Sequence, residues 1–182
     1  GGNQVLDLSP IGQMVGLSVL YAEDNNFSDI SVLGNLNGLK EINLSNNKIQ
    51  DLSGFLNVAE GRSYLWLADF SRNELTSLQG IETLNNLRIL ALSQNSISDL
   101  SPLNQMSELS TLLIDFNQVS VLAPIKDLEN LRGLYANNNL LAEDLSVIEM
   151  NQLAELYIYD NNLTDSRKVE IQDALPSVRI EF

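Results

Sequence analysis

The chain has 182 residues, of which 44% are hydrophobic, a formal net charge of −14, and neither histidine nor cysteine. This length and composition allow one hydrophobic core and exclude a disordered or fibrous chain, while the negative charge argues against nucleic acid and anionic membrane surfaces as partners. Without cysteine there is no disulfide, no thiolate nucleophile and no zinc site with sulfur ligands. The absence of cysteine is compatible with both a reducing cytosol and an exported bacterial protein.

A 22-residue repeat organises the chain. Leucine occupies the first position of seven successive turns, and the interval from Leu39 to Leu65 is longer than the others, which predicts a four-residue insertion within residues 57–64. An asparagine stands eight residues after each first leucine, and once before the first turn. The asparagines in this series are Asn3, Asn25, Asn47, Asn73, Asn95, Asn117, Asn139 and Asn161.

The turn of residues 87–108, LRILALSQNSISDLSPLNQMSE, has the pattern LxxLxLxxNxIxxLxxLxxLxx and resembles the leucine-rich repeat of bacterial internalin-like proteins. The resemblance covers essentially the whole chain. It implies an α/β fold: a right-handed solenoid with a parallel sheet of about eight short strands on the concave face and loops or 3-10 segments on the convex face. It also implies a bacterial protein that is secreted or held at the cell surface.

Physical arguments support a solenoid independently of the resemblance. One turn cannot bury its leucines alone, whereas stacked turns share a continuous core. The asparagine is expected where the chain bends out of the strand, because its amide can satisfy backbone groups that the bend would otherwise leave unpaired. Aspartate could accept hydrogen bonds there but could not donate them.

The start of the chain differs from the regular repeats, which occupy residues 17–162. Residues 1–16 match only the second half of a turn. We therefore expect the solenoid to begin in mid-repeat, with an N-terminal cap missing or outside the sequence. No run approaches the roughly 18 apolar residues of a membrane span, so membrane insertion is not expected.

The end of the chain is predicted to form a cap. Thr164 or Asp165 can cap a helix over about residues 166–174, which Pro176 ends. The strand pattern then resumes one repeat period after the last full turn, so residues 163–182 are predicted to be a helix followed by an eighth strand. The whole chain is interpreted as a single leucine-rich-repeat domain, 1–182.

Alternation along each strand sends the third, fifth and seventh residues of a turn to the concave face, with the eighth at its edge. The fifth positions are Tyr21, Asn43, Asp69, Ala91, Leu113, Tyr135, Tyr157 and Arg179. Four of the five tyrosines lie on this face, where the core does not require them, and tyrosine is typical of binding hot spots. The predicted partner-binding residues are Tyr21, Leu67, Asp69, Ile89, Leu113, Asp115, Phe116, Tyr135, Tyr157 and Tyr159. The alternative is that the aromatic and aliphatic residues support neighbouring strands by cross-strand packing.

The predicted concave face is acidic. It carries only two basic residues, Arg72 and Arg179, against eight acidic ones: Glu23, Asp24, Glu41, Asp69, Asp115, Glu155, Asp160 and Glu181. Such a surface favours a protein partner with a basic surface, because opposite charges steer association. A charge excess that serves only solubility is the alternative.

No catalytic pattern emerges from the sequence. A histidine base is impossible, and no glycine-rich phosphate loop follows a strand. Asp69 and Asp115 are predicted two strands apart, about 10 Å or more, and in different columns. We therefore expect no enzymatic activity and no cofactor. We also expect no metal site, because the Asp24-Asn25-Asn26 and Asp160-Asn161-Asn162 segments lack the spaced oxygen ligands that calcium requires.

Tyr64 and Trp66 flank the predicted insertion. We expect them to cover the edge that the insertion creates, and a protruding contact is the alternative.

The sequence thus predicts a non-catalytic protein-recognition module that binds through its concave face. Two alternatives remain. One is a carbohydrate-binding adhesive domain, in which Tyr135, Tyr157 and Tyr159 stack on sugar rings. The other is an intracellular regulatory scaffold similar to leucine-rich-repeat phosphatase regulators. Oligomeric state and partner identity stay open.

Overall fold

A computed structural model describes residues 2–56, 64–143 and 146–182 of the chain. In these residues, eight short strands form one parallel sheet, and each strand pairs with the next in chain order. The strands are β1 Val19–Tyr21, β2 Glu41–Asn43, β3 Leu67–Asp69, β4 Ile89–Ala91, β5 Thr111–Leu113, β6 Gly133–Tyr135, β7 Glu155–Tyr157 and β8 Arg179–Glu181. This sheet confirms the predicted leucine-rich-repeat solenoid.

The register of the sheet follows the repeat. Residues 22 apart face each other in most strand pairs, as Ile89 and Thr111 do between β4 and β5. Between β2 and β3 the separation is 26, because Glu41 faces Leu67. Apart from Tyr64, the insertion predicted within 57–64 lies outside the described residues.

Short 3-10 segments return the chain from one strand to the next on the other side of the core. They are Ser9–Gln13, Ser31–Asn35, Ser53–Phe55, Ile81–Thr83, Ser101–Leu103, Ala123–Ile125 and Ser146–Glu149. Pro10, Pro102 and Pro124 each lie in the first two positions of a segment. Proline suits this place because its φ is already near the helical value and it needs no hydrogen-bond acceptor there.

The core lies between the sheet and the 3-10 segments. The middle residue of each strand from β2 to β7 points inward and is fully buried, whereas Leu20 in β1 and Ile180 in β8 are only partly buried. Full burial of such a side chain stabilises the fold by roughly 1.5–3 kcal/mol. Within the described residues β1 and β8 each pair with one neighbouring strand, whereas each inner strand is covered on both sides, as expected when stability comes from contacts between neighbouring turns.

The C-terminal cap contains the predicted helix. This helix, α1, spans Asp165–Ala174, and the Thr164 hydroxyl oxygen accepts a hydrogen bond from the backbone N–H of Arg167 (3.3 Å). Ile171 is buried against the core and anchors the helix. Across the described ranges, no helix has both the length and the hydropathy of a membrane span.

The register of β8 differs from the prediction. The 22-residue period placed Arg179 opposite Tyr157, but in the structure Arg179 faces Glu155 and Glu181 faces Tyr157. The prediction was wrong because α1 replaces the short 3-10 segment of the other turns and occupies two more residues before the strand. A shift of two residues keeps each side chain on the same face of a strand, so Ile180 still points inward.

Candidate functional site

The asparagines from Asn25 to Asn161 lie just beyond the strand ends and make a repeated set of hydrogen bonds. In Asn95, Nδ2 donates to the carbonyl oxygens of Leu92 (2.8 Å) and, in the preceding turn, of Phe70 (3.1 Å). Its Oδ1 accepts from the backbone N–H of Leu75 (3.0 Å). Each such side chain therefore joins two turns, and we call this series the asparagine ladder. Asn3, the first asparagine of the predicted series, is exposed.

The residue before each ladder asparagine has a left-handed backbone, with φ between 50° and 58°. We call these residues the left-handed column: Asp24, Asn46, Arg72, Gln94, Phe116, Asn138 and Asp160. Asparagine and aspartate tolerate this conformation best among residues with a side chain, whereas other L-residues lose roughly 1–2 kcal/mol in it. The sequence reasoning placed these residues at the edge of the face but missed their conformation, which the four Asn and Asp residues could have indicated.

The residues at the two ends of the left-handed column make side-chain hydrogen bonds, whereas, within the described ranges, those at its centre do not. At one end Asn46 Nδ2 donates to Asp24 Oδ1 (2.7 Å), and at the other Asn138 Nδ2 donates to Asp160 Oδ2 (3.2 Å). The three central residues are exposed, and in the described part of the chain their side chains make no hydrogen bond or ion pair. These residues are Arg72, Gln94 and Phe116.

Phe116 stands out in this centre. Its side chain is 49% exposed and its φ is 56°. Leu113, on the adjoining strand β5, is half-buried. Leu67 and Ile89 are also half-buried and face each other on β3 and β4. These residues form the apolar middle of the concave face, which Phe116 extends to its edge.

Tyr135 and Tyr157 form a stacked pair, with ring centroids 4.8 Å apart and planes 10° from parallel. The Tyr135 hydroxyl donates to Glu155 Oε2 (2.7 Å), and this bond to a carboxylate, together with burial, raises the pKa of Tyr135 to about 12. The Arg179 guanidinium carbon lies 5.5 Å from the centroid of the Tyr157 ring. The pair is thus half-buried and packed across strands, as the alternative interpretation expected of the aromatic residues.

The other two tyrosines of the face are more exposed. Tyr21 is 58% exposed and its hydroxyl donates to Glu41 Oε2 (2.9 Å), which raises the pKa of Tyr21. Tyr159 is 39% exposed. Since Tyr21 lies on β1 and Tyr157 on β7, six strand spacings or about 29 Å separate their strands. The predicted partner-binding residues therefore divide into three parts: a central group, a C-terminal tyrosine group and Tyr21. Only a large ligand could contact all three parts at once.

The acidic side chains of the face are hydrogen-bonded within the protein. Asp115 Oδ1 accepts from the backbone N–H (2.9 Å) and from Nδ2 (2.7 Å) of Asn137. Asp69 Oδ1 accepts from the backbone N–H of Ser71 (2.8 Å). Further acceptors are Asp24, Glu41, Glu155, Asp160 and Glu181. These bonds orient the carboxylates and leave their negative charge in place.

Comparisons with known proteins agree with this architecture. A family model described as leucine-rich repeats (2 copies) matches residues 15–57. An internalin (inlF) from Listeria monocytogenes superposes with a TM-score of 0.88 at 27% identity, over 98% of this chain and 54% of that chain. Internalin C2 of the same species gives a TM-score of 0.88 at 26% identity, over 99% of this chain and 77% of that chain.

A plant peptide hormone receptor, RGFR1 in complex with RGF2, also superposes, with a TM-score of 0.69 and 28% identity, over 85% of this chain and 26% of that chain. This chain therefore spans about half the length of the first internalin and about a quarter of the plant receptor. No curated protein sequence matches significantly. Leucine-rich-repeat domains generally act in protein–protein interaction, and extended concave surfaces are how solenoids bind.

Proposed function

We propose that this internalin-like leucine-rich-repeat protein is a non-catalytic recognition module that binds another protein through the centre of its concave face. The observation that carries the proposal is Phe116, a large apolar side chain that is half-exposed in a left-handed backbone conformation. Neither the core nor the bend needs a phenylalanine there. Strained and exposed apolar residues are typical of contact sites.

The surroundings of Phe116 suit a protein interface. Leu67, Ile89 and Leu113 supply an apolar centre, and Arg72 adds an exposed cation in the same column as Phe116. Aromatic residues and arginine are the side chains most enriched at hot spots. Eight strands about 4.8 Å apart give a face roughly 34 Å wide, enough for a typical interface of about 800 Å² per partner.

The charge of the face bears on the kind of partner. The carboxylates around the apolar centre are hydrogen-bonded within the protein but remain negative. They attract a basic surface at a distance without having to leave their own partners. We therefore propose a partner with a basic rim around an apolar patch.

Protein binding is favoured over the carbohydrate-binding alternative. Sugar stacking needs a free aromatic face, but Tyr135 and Tyr157 cover each other and Arg179 lies over Tyr157. Tyr159 remains more exposed, and a single ring offers one stacking site. Following the internalin likeness, we place this activity at a bacterial surface or outside the cell rather than in an intracellular scaffold.

The test uses Phe116→Asn. Asparagine tolerates the left-handed backbone, so we expect the variant to gain about 1 kcal/mol in free energy of unfolding. A partner captured with the immobilised wild-type chain should bind the variant at least about 10-fold more weakly, because hot-spot side chains contribute about 2 kcal/mol or more. Calorimetric unfolding and surface plasmon resonance measure the two effects.

Val121→Asn is the matched control. Val121 is 46% exposed and lies between β5 and the next 3-10 segment, outside the concave face. Its replacement removes a comparable exposed apolar side chain, so partner affinity should stay at the wild-type value. Equal affinity of wild type and Phe116→Asn, or equal weakening by both substitutions, would overturn the proposed site.

A further inference from the structure

A second surface lies at the opposite edge of the sheet, where the chain enters the strands. Lys40, Trp66 and Arg88 directly precede β2, β3 and β4. The backbone N–H of Trp66 donates to the carbonyl of Lys40 (2.9 Å), and that of Arg88 to the carbonyl of Trp66 (2.9 Å). The three residues therefore stand side by side on neighbouring turns, with the indole between two cations.

These residues line an open cavity of about 600 Å³, together with Tyr64, Asn86 and Glu108. This volume is within the range of roughly 300–1,000 Å³ that is usual for ligand sites. Trp66 is half-buried and Tyr64 is 65% exposed, so the cavity has aromatic walls that are open to solvent.

The charge of this cavity differs from that of the concave face. Within the described residues, the side chains of Lys40 and Arg88 form no ion pair and no hydrogen bond. By contrast, four cations elsewhere in the described residues are paired with carboxylates: Lys126, Arg167, Lys168 and Arg179. In a chain of net charge −14, two unpaired cations beside an indole form a local positive site. Glu108 is the carboxylate on the cavity wall that opposes it.

We propose that this cavity binds an extended acidic segment of a polypeptide, with an apolar side chain on Trp66 between two carboxylates that face Lys40 and Arg88. Two strand spacings place the cations about 10 Å apart. In an extended chain every second side chain shares a face, so two carboxylates four residues apart flank a middle apolar residue and span about 13 Å, a distance that the long side chains of Lys40 and Arg88 can bridge. One sugar carboxylate cannot reach both cations. This site is separate from the proposed concave interface and selects the opposite charge.

Trp66 is the only tryptophan of the chain, so its fluorescence reports on this cavity without a label. The probe is a capped octapeptide that repeats glutamate, leucine, threonine and glutamate, titrated into the full chain. We expect a saturable change in Trp66 emission. The same peptide with glutamine for every glutamate should give none, and an oligogalacturonate of equal charge should bind more weakly.

Three single variants test the assignment of the charges. Lys40→Gln and Arg88→Gln should each weaken peptide binding roughly 2- to 5-fold, and Glu108→Gln should strengthen it roughly 2- to 5-fold, as expected for surface charge pairs. The carbonyl and N–H groups that hold Trp66 belong to the backbone and survive these changes. Thermal unfolding checks that each variant folds.

Lys48→Gln is the control, because it removes the same charge from an exposed residue near the asparagine ladder. Its peptide affinity should match the wild type. Equal binding of the glutamine peptide, tighter binding of the oligogalacturonate, or equal loss in Lys48→Gln and Arg88→Gln would each overturn the proposal. Phe116→Asn should leave peptide affinity unchanged, so the proposal for this cavity and the proposal for the concave interface are tested independently.

Discussion

The asparagine ladder and the left-handed column occupy neighbouring residues at the same bend, yet one is uniform and the other varied. Ladder side chains point into the bend and bond backbone groups of two turns, as Asn95 does with Phe70 in the preceding turn and Leu92 in its own. Left-handed residues such as Phe116 point outward and are constrained mainly by their own φ. At the ladder positions the side chain itself makes the bonds that hold the fold, so the same residue, asparagine, occurs in every turn. In the left-handed column the fold requires only a backbone conformation, so different side chains can occupy these positions.

The largest expected effect comes from breaking the ladder. Asn95→Ala leaves the buried N–H of Leu75 without its hydrogen-bond acceptor and removes one of the two side-chain amides that donate to the carbonyl of Leu92. An unsatisfied buried group costs about 1 to 3 kcal/mol, so we expect at least that loss in the free energy of unfolding, measured with urea. Gln94→Ala, one residue earlier, should change it by less than about 0.5 kcal/mol.

Asn95→Asp sharpens the same point. Aspartate keeps the acceptor for the Leu75 N–H but brings negative charge toward the carbonyls of Phe70 and Leu92. The pKa of this carboxyl should rise in the folded state, because its protonated form alone can donate. The loss of stability should therefore shrink as pH falls through that raised pKa. A pH-independent loss would argue against donation as the role of the ladder amide.

We expect an intermediate effect on the free energy of unfolding from changes in the tyrosine pair. These side chains lie on the concave face, yet they also join two neighbouring turns, as the ladder asparagines do. Tyr135→Ala and Tyr157→Ala each remove one ring of the stack. Unfolding measurements on both single variants and the double variant should give a coupling of about 0.5–1.5 kcal/mol. The absence of coupling would show that the stacked contact adds nothing to stability.

The smallest effect is expected in the left-handed column itself. Gln94→Asn places a residue tolerant of φ near 58° at an exposed position without known side-chain bonds. We expect a gain of about 0.5–1 kcal/mol in the free energy of unfolding, seen as a higher midpoint in urea. A loss of stability would mean that the Gln94 side chain supports the fold.

The sequence alone was sufficient for the repeat length, the register of the first seven strands and the identity of the inward columns. Each of these follows from local spacing, because a leucine that opens every turn and an asparagine eight residues later leave one phase in which the core is apolar. The position of α1 also follows from a local signal, the Thr164 cap.

Tertiary structure decided what depends on neighbouring turns. Whether Tyr135 is free or stacked depends on Tyr157, one turn away, and the charge that Asp115 presents depends on its bonds to Asn137. The register of β8 depends on the residues that α1 needs, and the cavity at Trp66 on cations contributed by the turns on both sides. A periodic sequence determines which column a residue occupies, but its contacts and exposure are set by the side chains stacked above and below it.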